Sequence, residues 1–189
     1  MNTKRIVRNT ALALAPMAMI LTACEPGPSP ENCRGTIGAV TVEKVIVPQG
    51  ATCVLEGTRV QSDVLVRRDA TLIARGARIG GNVQAENHRE VRVGRSSTVG
   101  GSVQTKQGGV SDVAQTVVTG DIQIDANRGN QRVDGNRVNG SIQVVGNRGA
   151  SAINSNRVDG NLQCKENVPA PTGGGNIVQG NKEDQCARL

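Results

Sequence analysis

One short phrase returns along this chain every 19 or 20 residues. It reads Val-Gln-Ser-Asp-Val at 60–64, Ile-Gly-Gly-Asn-Val at 79–83 and Val-Gly-Gly-Ser-Val at 99–103. It continues as Val-Thr-Gly-Asp-Ile at 118–122, Val-Asn-Gly-Ser-Ile at 138–142 and Val-Asp-Gly-Asn-Leu at 158–162. The closing apolar residues, Val64, Val83, Val103, Ile122, Ile142 and Leu162, are spaced 19, 20, 19, 20 and 20. Val45 precedes Val64 by 19, and the next position after Leu162 is Lys182. A period of this size marks a stack of units, each unable to bury its apolar side alone, with a polar unit closing the end.

Within a unit the apolar residues alternate. Val64-Leu65-Val66, Ile122-Gln123-Ile124 and Ile142-Gln143-Val144 put two side chains on one face and one on the other, which is strand periodicity. A second piece precedes each phrase, as in Leu55-Glu-Gly-Thr-Arg-Val60 and Val133-Asp-Gly-Asn-Arg-Val138. Short β-branched stretches broken by Gly, Asn, Asp and Ser are short strands joined by tight turns. The chain is therefore all-β, with three short strands per repeat. Stacking about seven rungs at ~4.8 Å gives a parallel β-helix (solenoid) roughly 30–35 Å long. A β-sandwich also spaces strands at 8–12 residues, but nothing in it calls for one phrase in register. The chain has no Phe, Tyr or Trp, which suits a narrow interior of Val, Ile, Leu and Ala.

An 18-residue coil built on apolar sixth positions, the left-handed hexapeptide pattern, does not fit this register, so a right-handed coil is expected. On these repeats, residues 40–180 resemble the right-handed β-helix proteins. In style they are also similar to the bactofilins, whose Gly-rich, Val/Ile-rich coils contain comparable Gly-Asx-Val steps. The bactofilin resemblance implies a cytoplasmic scaffold that assembles end to end.

The N-terminus implies export instead. Lys4, Arg5 and Arg8 precede an apolar run from Thr10 to Thr22 that Pro16 interrupts. That layout is an export signal and is too short for a span. Leu21-Thr22-Ala23-Cys24 matches a bacterial lipobox, making residues 1–23 a signal peptide and Cys24 the lipidated residue. Glu25 after the cysteine favours the outer membrane by resemblance to enterobacterial sorting. Residues 24–33, with three prolines, are a tether, and 34–189 are one solenoid domain. Removing residues 1–23 lowers Lys+Arg from 22 to 19 against 16 Asp+Glu. The mature excess is small, and without aromatics there is no platform for stacking bases, so nucleic acid is not an expected partner.

Cys33, Cys53, Cys164 and Cys186 remain. An even count in an exported chain points to disulfides. Pairing Cys33 with Cys53 and Cys164 with Cys186 spans about one rung each, pinning both ends. A zinc site is disfavoured because no Cys-x₂-Cys occurs, and no metal or cofactor is expected.

Gln84, Gln104, Gln123, Gln143 and Gln163 occupy one outward position in five rungs. They are expected to form an amide ladder, or a flat face binding a repetitive polymer such as an envelope glycan. Arg59, Arg78, Arg137 and Arg157 form a partial row that can contact anions or stand as a solvated face balanced by carboxylates. Arg128 and Arg148 form another. Asn136, Asn156 and Asn176 read as turn residues, and His88 as a surface residue in a variable loop. Asp125-Ala-Asn127-Arg-Gly129 lacks the Gly and Glu of a calcium loop. Polysaccharide-cleaving β-helix enzymes build clefts from long loops, and no paired carboxylates appear here at matching rungs. The expectation is a non-catalytic envelope lipoprotein with a structural or surface-binding role. Its partners would be the membrane, through the lipid, and a glycan or another protein, with oligomers allowed.

Overall fold

The structure, a computed structural model, describes residues 32–189, so the expected signal peptide and the expected lipidation at Cys24 lie outside the described residues. Every named element in them is a β-strand, and the strands form three parallel sheets of eight strands each. One turn of the coil shows the plan. Gln131–Asp134 belongs to the first sheet, Arg137–Val138 to the second and Ile142–Val145 to the third. Each strand pairs with its equivalents one rung before and after, so the register of the sequence repeat is the register of the sheets. The repeat predicts about seven rungs and the solenoid has eight, because Gly35–Ile37, Thr41–Val42 and Val45–Val47 already make a full first turn.

The alternation works as expected. Val133, Val138, Ile142 and Val144 are fully buried in one rung, and their equivalents continue above and below as a single column. Each such side chain contributes roughly 1.5–3 kcal/mol of burial, gained only when a neighbouring rung covers it.

The repeated phrase has a physical reading position by position. Its first residue points inward from the second sheet and its last points inward from the third. The Gly between them sits where consecutive rungs nearly touch: a Cβ on Gly140 would lie 2.7 Å from the carbonyl oxygen of Gly120 and 2.3 Å from Asp121 Oδ1. The Asx or Ser that follows turns its side chain along the rod. Asp63 Oδ1 accepts the Asn82 N–H (2.7 Å), and Asn82 Oδ1 accepts that of Ser102 (2.9 Å). Ser102 Oγ accepts the Asp121 N–H (2.9 Å), and the row runs on through Ser141 and Asn161 to Asn181.

Both ends are tied. Cys33–Cys53 and Cys164–Cys186 are disulfides with Cα atoms 5.5 and 5.1 Å apart. At the N-terminal end Asn32 bridges to Ile46, and the Cys33 N–H donates to the Ile46 carbonyl at 2.7 Å. The coil therefore begins within the segment expected to be tether. At the other end the last strand, Lys182–Asp184, runs into a turn whose Leu189 packs half-buried against the core. Lys182 Nζ donates to the Leu189 carbonyl, tying that turn to the last strand. The Gly-rich stretch after Pro171 supplies the last strand of the first sheet, Thr172–Gly174.

Candidate functional site

Three outer faces and one buried row of side chains are the places where this solenoid could act. The outer face of the first sheet carries charges that satisfy one another. Arg75 pairs with Glu56 (3.3 Å), Arg132 with Asp112 (3.2 Å) and Asp134, and Arg92 with Glu90. The second sheet differs. Its outward row is Thr41, Arg59, Arg78, Thr98, Val117, Arg137, Arg157 and Ile177, all in register. The four arginines fall into two adjacent pairs, all exposed. None of them lies within salt-bridge distance of a carboxylate among the described residues. The balancing carboxylates expected from sequence are absent from this row.

On the third sheet Gln84, Gln104, Gln123, Gln143 and Gln163 stand in register on five consecutive rungs. Gln84 Nε2 donates to Gln104 (3.4 Å), Gln104 Nε2 to Gln123 (3.0 Å), and Gln163 Nε2 to Glu183 (3.1 Å). The row is thus bonded in two runs, with Gln143 between them. A shallow open groove lies beside Gln84, Gln104 and Gln123, edged by Arg67, Glu86, Lys106 and Asp125. Arg128 and Arg148 are exposed at the corner leading into the first sheet, where Arg128 donates to the Gln107 carbonyl (3.5 Å).

The interior overturns two expectations. Asn136, Asn156 and Asn176 are buried and point into the coil. Asn156 Oδ1 accepts both the N–H and the Nδ2 of Asn136 (3.0 Å each), and Asn156 Nδ2 donates to the Val133 carbonyl (2.9 Å) and to Asn176 Oδ1 (2.9 Å). The left-handed residue of this corner is the one before: Gly135 and Ser155 have φ of 64° and 54°. The asparagines therefore serve the stack rather than the turn.

His88 is not on the surface either. It is 3 % exposed, inside a second buried row that continues through Gly108 to Asn127, Asn147 and Asn167. A Cβ on Gly108 would lie 2.2 Å from His88 Nδ1, so the imidazole occupies the space that glycine leaves. His88 Nε2 is 3.4 Å from Ser111 Oγ, which donates to Thr105 Oγ1 (2.9 Å); Asn127 Nδ2 donates to the same oxygen (3.1 Å). Burial lowers the His88 pKa to about 4, against a small opposing contribution from a backbone hydrogen bond at Val110.

Sequence reasoning passed over the row at Asn127, Asn147 and Asn167. Its signal was the 20-residue return of Asn-Arg-Gly at 127–129 and 147–149. Gln185 closes it, accepting the N–H (3.0 Å) and Nδ2 (3.1 Å) of Asn167 while donating to its carbonyl (3.0 Å). Among the described residues no group of three or more His, Cys, Asp or Glu side chains is placed to hold a metal ion.

No match is found among protein-family models, curated proteins or solved structures. The likeness to bactofilins therefore stays one of repeat style, and the parallel three-sheet solenoid is what is shown.

Proposed function

We propose that this protein is a non-catalytic bacterial envelope lipoprotein, lipid-anchored through Cys24. In this reading its right-handed solenoid is a structural or surface-binding module for envelope polysaccharide. The observation that carries the proposal is the flat glutamine row of the third sheet, held in register on five rungs. A repetitive surface of donors and acceptors suits a repetitive polymer, because each small contact recurs along the chain and the contacts add as avidity. The terminal disulfides support an oxidising compartment. The lipobox at 21–24 supports the anchor, and Glu25 favours the outer membrane.

The test uses the full chain with its own leader. Labelled palmitate should enter the wild type and be absent from Cys24→Ala. The detergent-solubilised chain should sediment with insoluble cell-wall glycan, and Gln104→Ala/Gln123→Ala should weaken that association. Growth into long species with concentration would replace this reading by the self-assembling scaffold. The closed C-terminal turn, with Cys186 buried and Leu189 packed on the core, speaks against open-ended growth.

A further inference from the structure

We infer that the outer row of the second sheet is a track for an acidic polysaccharide, with Arg59/Arg78 and Arg137/Arg157 as two carboxylate subsites. The track lies on a different sheet from the glutamine row and does not depend on it.

Within each pair the arginines are direct neighbours across a parallel ladder, so their Cα atoms lie ~4.8 Å apart. Two guanidinium groups at that spacing can flank one carboxylate, each offering a planar fork of donors. The two pairs are four rungs apart centre to centre, ~19 Å along the rod. Thr98 and Val117 lie between them on the same line. Neither is charged and neither is large, so an extended chain meets no obstacle between subsites. Val117 is 43 % exposed and Ile177 60 %, giving C–H surface on which a sugar ring can rest.

Charge selection comes from the flanks. The residue two places beyond each row position is uncharged from the second rung to the sixth (Gln61, Gly80, Gly100, Thr119 and Asn139); Glu43 holds that place on the first rung, outside salt-bridge distance of Arg59. Asp159 follows Arg157, but it accepts from Gln179 Nε2 at 3.0 Å instead of pairing with the arginine. On the first sheet two of the four ion pairs join register partners on neighbouring strands and two join residues two apart on one strand, so the arginines in them are occupied. Four exposed cations left without carboxylates on one straight line are thus particular to this face. A linear polyanion that engages both subsites gains from effective concentration, since the second pair is presented at a fixed distance. The chain has no aromatic residue, so stacked bases are not what this track is built to hold.

The experiment is binding of the full-length, detergent-solubilised chain to polygalacturonate, with neutral dextran and inorganic polyphosphate alongside. Polygalacturonate should bind, weaken with salt, and outcompete both others. Arg59→Gln/Arg78→Gln and Arg137→Gln/Arg157→Gln should each raise Kd about tenfold and lower the slope of log affinity against log salt by roughly two. Arg92→Gln/Arg132→Gln on the first sheet should bind as wild type. Because all four track arginines are exposed, the unfolding midpoint of their variants should be unchanged. Wild-type binding by the track variants overturns the inference. So does an equal loss in the first-sheet variant, or polyphosphate binding as tight as polygalacturonate.

Discussion

The buried asparagines are the residues on which this fold is least forgiving. Asn156 uses both amide hydrogens and its oxygen on neighbouring rungs. Asn156→Ala should cost about 3 kcal/mol in denaturant unfolding, because it strands the Val133 carbonyl and the Asn136 N–H in the dry interior. His88 is the other sensitive residue. Its pKa in the fold, about 4, lies below the ordinary 6.5, so the fold holds the neutral ring and the unfolded chain takes up the proton first. Stability should be full above pH 6.5 and fall by about 3 kcal/mol on acidification to pH 4. Unfolding measured across that window should show the decline, and His88→Asn should remove that part of it. Neither role could be read from the sequence. Asparagine beside a glycine is chemically at home in a turn, and only the inward aim of the residue after the left-handed one separates the two roles. A histidine between Asn87 and Arg89 has no apolar neighbours in sequence to announce its burial.

At the scale of the strands and corners, the three sheets were legible because two signals coincide: period 2 within a strand and period 19–20 between strands. The chemistry of the corners was legible only in part. The phrase displays its glycine, but the reason for it is contact between rungs. Gly140→Ala should therefore destabilise the coil by about 2 kcal/mol or more through overpacking against Gly120 and Asp121. A milder effect of opposite sign is expected where a Cβ is already strained. Ala126 has a φ of 53° at a position that Gly146 fills one rung later. Ala126→Gly should raise the unfolding free energy by up to about 1 kcal/mol. Thermal unfolding of both variants checks the pair.

For the molecule as a whole, the end bridges matter more than their number suggests. A stack whose rungs bond only to neighbours loses structure from its ends first. Replacing Cys164 and Cys186 together by Ser should cost about 3 kcal/mol and free the cap that carries Gln185. Hydrogen exchange should then rise in residues 172–189 before it rises in the middle of the rod. The pairing was legible because each separation, 20 and 22 residues, is about one rung. The outer faces were legible as rows but not in their differences. An arginine meets a carboxylate where one stands at its register position or two residues away on its own strand, as at Arg75 with Glu56 and Arg132 with Asp112 and Asp134.

The step from His88 to Gly108 has one further consequence. Viewed mechanically, the solenoid is a one-dimensional crystal whose inner column changes composition along its length: alanine at 51 and 70, then His88 and Gly108, then asparagine at 127, 147 and 167. Side-chain amides clasp the backbone of the preceding layer in that column only from Asn127 onward. The two halves of the rod are thus fastened differently, with the seam at the third and fourth turns.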